Sequence, residues 1–420
     1  MIAMEHTVTL RRFPYPFRAA LALCPDIDNC TRHIFRDVHL FLNRDLGLPA
    51  ADSFFGHGRA PGQMAYFENG TLKESADAPI IREAIRSGLI DSLHSWGDFN
   101  HAPPAPDYLR AMAERLTLSL LAHGLKIPVW INHGDPNNCQ NLKSRLRPEY
   151  QGDDPGSPYY TADLLKKLGL KYVWPSELVN WPLSVSLDHF SPRAWQRRKI
   201  NVVKNLGKSA AGQKDRKKTA AQLDELSYPF QLRDGTTVMA FTRFYQDLDE
   251  NPEATRLSIH RTMSLGNLDR LIDQEGYLVY YTHFGLPSER TGFLFPARDL
   301  HAFELLARHF HDGRIWMART RDILNFWLVQ KYLRWNYFKE GEAWVINLEK
   351  IEDPVEGHRL PCLQELAGLC FYAPQPERTV VRLEGREVPV AIHGPDHRGL
   401  RSIGFPPPAP PETDFLLEIK

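Results

Sequence analysis

One pattern recurs along the chain and limits its architecture more than any other feature. An amphipathic stretch ends at a glycine, a short apolar run follows, and a polar residue closes the run. Ile80, Ile81, Ala84 and Ile85 carry helical spacing, Gly88 stands where a helix C-cap belongs, and LIDSL leads to His94. Leu109, Met112, Ala113, Leu116 and Leu120 repeat the unit, with Gly124 as the stop and IPVWIN leading to His133. Leu164, Leu165 and Leu168 precede Gly169, after which LKYVW leads towards Glu177. Leu268, Leu271 and Ile272 precede Gly276, and YLVYYT then ends at His283. A further copy runs from Leu300 through Leu305 and Leu306 to Gly313 and RIWMA.

Helices alternating with short, nearly all-apolar strands mean βαβ units and a parallel sheet. The expected strands are 18–24, 51–55, 90–94, 127–133, 170–175, 237–243, 277–283 and 314–318. Sequential units of this number predict an α/β fold, a (β/α) barrel of seven or eight strands, regular or distorted. In such barrels the chemistry sits at the C-terminal ends of the strands, which here carry Asp26, Asp28, His94, His133, Glu177, Arg243 and His283. After about residue 336 the helical pattern stops. AWVINLEK, LCFYAP, RTVVRLEG, REVPVAIHG and DFLLEIK alternate between turn residues and predict a small antiparallel β domain over 336–420, following a barrel domain over 1–335. PPPAPPE near the end is a stiff extended connector.

Charge narrows the function classes. Lys+Arg and Asp+Glu are both 51 in 420 residues, so no whole-molecule field favours nucleic acid or a membrane surface. No run approaches the ~18 consecutive apolar residues of a transmembrane segment. The apolar run near the N-terminus is too short and too late for a signal peptide, and five irregularly spaced cysteines do not make a disulfide framework. The expectation is a cytoplasmic protein. One charged stretch stands apart. Residues 193–218 hold ten Lys/Arg and a single acid, Asp215. They are a solvated insertion on one reading, and on another an arm that meets a phosphate-bearing substrate through Arg193, Arg197, Arg198 and Lys199.

CPDIDN closes the first strand with Asp26 and Asp28, which share a face if the strand is regular. Two carboxylates this close require a cation or a shared proton, unless they merely mark a turn. LHSWGDFNH supplies His94, Asp98 and His101, and a His and a carboxylate four apart can chelate one metal. NHGDPNN adds Asn132 and His133, YTHFG adds His283, and His57 in GHG stands near the second strand's end. Cys24, Cys30 and Cys139 lack CxxC spacing and read as buried thiols.

In combination these segments resemble the polysaccharide deacetylases of carbohydrate esterase family 4, the NodB-like superfamily. CPDID stands in the place of that family's Thr-Phe-Asp-Asp-Gly strand. HSWGD stands for its His-Ser/Thr-x-x-His motif, YYTHFG for its Leu-x-His strand, and VWPSE for its Trp-x-x-Asp strand. The order agrees over residues 18–320. The resemblance implies Asp26 as general base, Asp28 and His94 as ligands of one divalent metal, and His283 as general acid. An Ile separates the two aspartates, and Asp98 replaces the second histidine. The implied third ligand is thus Asp98, with His101 and His133 as alternatives, and the harder donor set admits divalent ions other than zinc. Asn132, His133, Trp174, Glu177 and Arg243 remain as candidates for contacting substrate.

The function implied is metal-dependent removal of an N-acetyl group from an acetamido sugar, in surface-polysaccharide or glycoconjugate synthesis. The sugar would be nucleotide- or lipid-diphosphate-linked if the enzyme is cytoplasmic. Two other readings keep the barrel: hydrolysis of a non-sugar amide or ureide, and a degenerate barrel that binds glycans without turning them over.

Overall fold

The computed structural model describes residues 7–59, 61–98, 110–134, 138–143, 151–176, 178–180, 226–245, 259–285 and 294–419. All eight expected strands are present, as Ala19–Asp26, Asp52–Phe54, Ile90–His94, Val129–Ile131, Tyr172–Trp174, Thr237–Phe241, Tyr277–His283 and Ile315–Met317. The helix Ala78–Ser87 ends as its sequence requires: Gly88 takes φ +85°, a left-handed conformation that costs a side-chain-bearing residue energy.

The architecture is mixed α/β, with four sheets among the described residues. One sheet runs Asp52–Phe54, Ile90–His94, Val129–Ile131, Tyr172–Trp174 and Thr237–Phe241 in parallel, with Ser227–Gln231 antiparallel at its edge. A second, wholly parallel sheet runs Ile315–Met317, Ala19–Asp26, Tyr277–His283, Arg243–Tyr245 and Leu178–Asn180. The chain steps from one sheet to the other at Thr242. On the opposite flank Ser53 joins them. Its hydroxyl donates to the Pro25 carbonyl and accepts the Ile27 N–H, both at 3.1 Å. Among the described residues no ladder pairs Asp52–Phe54 with Ala19–Asp26, so backbone hydrogen bonds do not complete the expected ring. A side chain bridges there instead.

Strand alternation sorts the core. Ala20, Ala22 and Cys24 enter one apolar cluster, while Ala19, Leu21 and Leu23 enter another beneath the helices. The first cluster also takes Val129, Ile131, Tyr172, Trp174, Met239 and Phe241, so the inner faces of the two parallel sheets meet in a common interior. Ile323, Leu324 and Phe326 of the helix Thr320–Tyr332 extend that cluster to Ile346, Leu348, Phe371 and Ile403 of the C-terminal strands.

The C-terminal region departs from expectation in four places. Its first strand, Leu333–Glu340, starts earlier and contains the 335/336 boundary. Ala343–Asp353 pairs in parallel with Thr379–Leu383, because the long connection between them allows a crossover that a hairpin could not make. The fourth sheet is antiparallel and recruits Thr9–Leu10 from the opposite end of the chain. DFLLEIK is not a strand. Asp414–Glu418 forms a 3₁₀ turn, and Leu416 and Ile419, three residues apart, reach one core together, which a period of two would prevent. Among the described residues no helix is long and apolar enough to cross a membrane.

A buried histidine makes the fold sensitive to acid. His39 ends the helix Arg32–His39 with no exposed surface. The Asn43 amide nitrogen donates to the Ala50 carbonyl, so its oxygen accepts from His39 Nδ1–H at 2.8 Å. Nε2 is left without a hydrogen-bond partner, 3.9 Å from Asp52, whose own carboxyl burial pushes well above the usual range. Burial therefore lowers His39 from 6.5 to about 4. The folded value lies below the unfolded one, so stability is full above the unfolded value and is lost as pH falls towards the folded one. The expected loss from this group between pH 7 and pH 4.5 is about 2–3 kcal/mol. Denaturant titrations at both pH values should show that much less acid destabilisation in His39→Leu than in the wild type.

Candidate metal and catalytic site

The parallel arrangement brings the polar closing residues to one end. The ladder between Tyr277–His283 and Ala20–Asp26 is in register, so His283 lies beside Asp26. The ladder between Ile90–His94 and Val129–Ile131 sets His94 beside Ile131, and His133 follows two residues later. Asp28 lies in the turn beyond Asp26, where Asn29 takes φ +56°. Ser53 holds that turn from one side. Gly285 holds it from the other, since a Cβ there would lie 2.5 Å from the Cys30 nitrogen and 2.6 Å from the Asp28 carbonyl oxygen.

Three imidazoles converge on Asp28. His94 Nε2 and His283 Nε2 lie 3.3 and 3.4 Å from Oδ2, and His133 Nε2 lies 3.2 Å from Oδ1. His94 Nε2 is also 3.5 Å from Asp26. Among the described residues two groups can offer ligand atoms within 4.8 Å of one another: Asp28, His94 and His133, and Asp26, Asp28 and His283. Asp98 belongs to neither. It stands one place further out, with Oδ1 3.3 Å from His133 Nε2 and Oδ2 accepting from Gln63 Nε2 at 3.0 Å. His133 groups with Asp28 and His94, and Asp98 does not, because the fourth strand ends beside the third. Phe55 closes the apolar side, with its ring centroid 4.8 Å from His94 and 5.3 Å from His133.

Asp26 is held differently. Arg243 donates to both of its oxygens, at 2.5 and 3.0 Å, and is itself fully buried. The guanidinium lies between two rings, 3.7 Å from Trp174 and 4.4 Å from Tyr281. Burial would raise the Asp26 carboxyl, but Arg243 and then His94 outweigh it, and the group titrates below its ordinary value. Burial is also the largest influence on Asp28, where hydrogen bonds from His133, His283 and His94 reverse it and hold the carboxyl well below the usual range. Both carboxylates are ionised.

Of the residues proposed from sequence, Asp26, Asp28, His94, Asp98, His133, Trp174, Arg243 and His283 come together. Arg243 clamps Asp26 rather than facing open space, and Trp174 packs on its guanidinium. Asn132 does not line the site. Its oxygen accepts from Trp130 Nε1 and the Leu142 N–H, and its nitrogen donates to the Leu142 carbonyl. His57 contributes its carbonyl to the Asp98 N–H. Burial raises the thiols of Cys24 and Cys139 to about 11 and about 12 and Cys30 well above its usual value, and among the described residues none of the three joins a group of convergent ligand atoms. His101, Glu177 and the basic stretch 193–218 lie outside the described residues. Sequence reasoning missed Gln63, Phe55 and Tyr281. Only Tyr281 carried a signal, two residues before His283 on one strand face.

Searches against protein-family models, curated proteins and solved structures return no match for this chain.

The Gly285 contact generates a prediction about the turn. Both clashing atoms are backbone, so Gly285→Ala must displace the Asp28 turn or the end of the His283 strand. The expected cost is about 1–3 kcal/mol. Gly266→Ala, where a Cβ meets nothing within 4 Å, should not destabilise. Paired denaturation curves check the difference.

Proposed function

We propose that the chain is a metal-dependent N-deacetylase of acetamido sugars, built on a distorted (β/α) barrel of seven or eight strands. The observation that carries this is the spacing around Asp28. Separations of 3.2–3.4 Å are long for charge-assisted N–H···O bonds, which run ~2.7–2.9 Å. The separations to the two histidine ligands, 3.3 Å from His94 to Oδ2 and 3.2 Å from His133 to Oδ1, are close to the ~3.3–3.4 Å ligand–ligand edges of a tetrahedron with bonds of ~2.0–2.1 Å. Charge agrees. Asp26, Asp28 and Asp98 against Arg243 leave two negative charges with neutral imidazoles, which one divalent cation balances.

Asp28, His94 and His133 would hold the ion, with zinc first among the candidates. His94 is already oriented for it, with Nδ1 3.4 Å from the Ile131 carbonyl and Nε2 turned inward. His133 needs one adjustment. Its Nδ1 meets the Asn138 amide nitrogen at 3.4 Å, so ligation through Nε2 requires that amide to turn. Asp98 Oδ1 faces that same Nε2, so it lies beside the ion rather than behind the His133 ring. Asp26 does not suit a second ion, because Arg243 occupies both of its oxygens and a second divalent charge would leave the site cationic.

A bound divalent ion supplies Lewis acidity to the amide carbonyl and the attacking water. Asp26, held ionised and aimed by Arg243, accepts the proton of that water. His283, on the neighbouring strand and more accessible than Asp26 or His94, donates a proton to the departing nitrogen. The likeness of CPDID, HSWGD and YYTHFG to the NodB-like motifs supports the same roles. The retained base, acid and ligands favour turnover over a degenerate glycan-binding barrel.

Two measurements test the reading. Protein purified without chelator should contain one divalent metal per chain, largely lost in Asp28→Asn and His94→Ala and kept in Asp26→Asn. Metal-free protein with full activity would refute the metal's role. Acetate release from nucleotide-linked and neutral acetamido sugars should accompany an equal yield of free amine, and Asp26→Asn and His283→Ala should each lower kcat at least ~100-fold. Hydrolysis of a ureide without acetate release would transfer the barrel to the ureide reading.

A further inference from the structure

Tyr281 touches both His283 and the Arg243 clamp on Asp26. It belongs to Tyr277–His283, where alternate residues share a face, so Val279, Tyr281 and His283 line the same wall. Val279 enters the interior cluster between the sheets, which fixes the direction of that wall. The Tyr281 hydroxyl lies 3.3 Å from His283 Nε2, and the two rings meet edge to face, with centroids 5.0 Å apart at 75°. The other side of its work is Arg243, whose guanidinium lies 4.4 Å from the Tyr281 ring centroid and 3.7 Å from that of Trp174. Trp174 and Tyr281 are nearly parallel, at 19°, and flank the cation that clamps Asp26.

We infer that Tyr281 is the positioning residue for His283, holding its imidazole through the phenol hydroxyl while its ring packs the Asp26–Arg243 pair. This rests on the deacetylase reading for its catalytic consequence, but not for the contact itself. The chemical reason is the pair of groups that Nε2 faces. Asp28, 3.4 Å away, presents a carboxylate oxygen, which accepts. A phenol can donate or accept. The Tyr281 hydroxyl, 3.3 Å from Nε2, can therefore hold the ring in one orientation whether the imidazole gives or takes the hydrogen bond. The residue is also where the chain differs from the motif it resembles, which has Leu in Leu-x-His where YTH has Tyr281.

The contact separates into ring and hydroxyl, and Tyr281→Phe removes only the hydroxyl. Two measurements on the zinc-loaded full chain decide the matter. In the first, ring ¹⁵N–¹H correlation spectra identify the His283 signals as those missing from His283→Gln. Tyr281→Phe should shift the His283 ring nitrogens by several ppm and leave the signals of distant histidines such as His39 in place. Unmoved His283 signals overturn the inference. In the second, kcat is compared on an acetamido sugar and on p-nitrophenyl acetate, whose leaving group departs without a proton. Tyr281→Phe should lower kcat for the amide by ~10–100-fold with KM little changed, and spare the aryl ester. An equal loss on both substrates means a merely structural role and overturns the inference. If the wild type cleaves neither substrate, the deacetylase reading fails, while the spectra still decide whether Tyr281 holds His283.

Discussion

Charge burial is the constraint on which the rest of the structure depends. Asp26, Asp28 and Asp98 lie in one pocket, with Asp26 and Asp98 almost wholly removed from solvent. Unpaired carboxylates in such a place would protonate or expel each other. The fold meets this in two ways. Asp26 receives a two-pronged guanidinium from the strand on the far side of Tyr277–His283, itself packed against the rings of Trp174 and Tyr281. Asp28 receives three imidazoles from three other strands. Neither solution is available to a single strand or helix, so the strands must assemble before any part of the site is electrostatically tolerable.

Parallel strands make that assembly possible. All of the strands that carry polar closers run the same way, and each βαβ unit returns the chain to begin the next strand at the far end. The side chains just past each apolar run therefore collect at one rim. The helices beneath need only bury one stripe each, which the clusters under the sheets achieve with ordinary Leu, Ile, Phe and Ala. The C-terminal strands contribute elsewhere. Their buried residues continue the interior cluster from the helix Thr320–Tyr332, so they brace the inner faces of the sheets rather than the rim.

Positioning at the rim comes from small, local devices. Ser53 replaces a missing ladder by bonding to both sides of Ile27's peptide neighbourhood, Gly285 gives up a side chain so that two backbones can touch, and Gln63 fixes Asp98. Phe55 lies against two imidazoles and keeps water from one side. These groups set ring orientation and donor direction, the properties on which ligand geometry and proton transfer both depend.

What the sequence by itself determined is the order of the elements and the chemistry at their ends. Glycine stops and apolar runs are local signals, because helix termination and strand burial are decided within a few residues. All eight parallel strands and the strand-end residues Asp26, His94 and His283 were legible on that basis. Tertiary structure alone decided who meets whom. Arg243 serves Asp26 instead of facing the open site, Asn132 is consumed by Trp130 and Leu142, and His133 comes nearer to Asp28 and His94 than Asp98 does. It also turned DFLLEIK into a 3₁₀ turn and set Thr9–Leu10 beside Phe371 and Tyr372. Each of these depends on register between strands distant in sequence and on which buried polar atom finds a partner first. Hydrogen bonds and ion pairs are satisfied in space, so spacing along the chain specifies the candidates but not their partners.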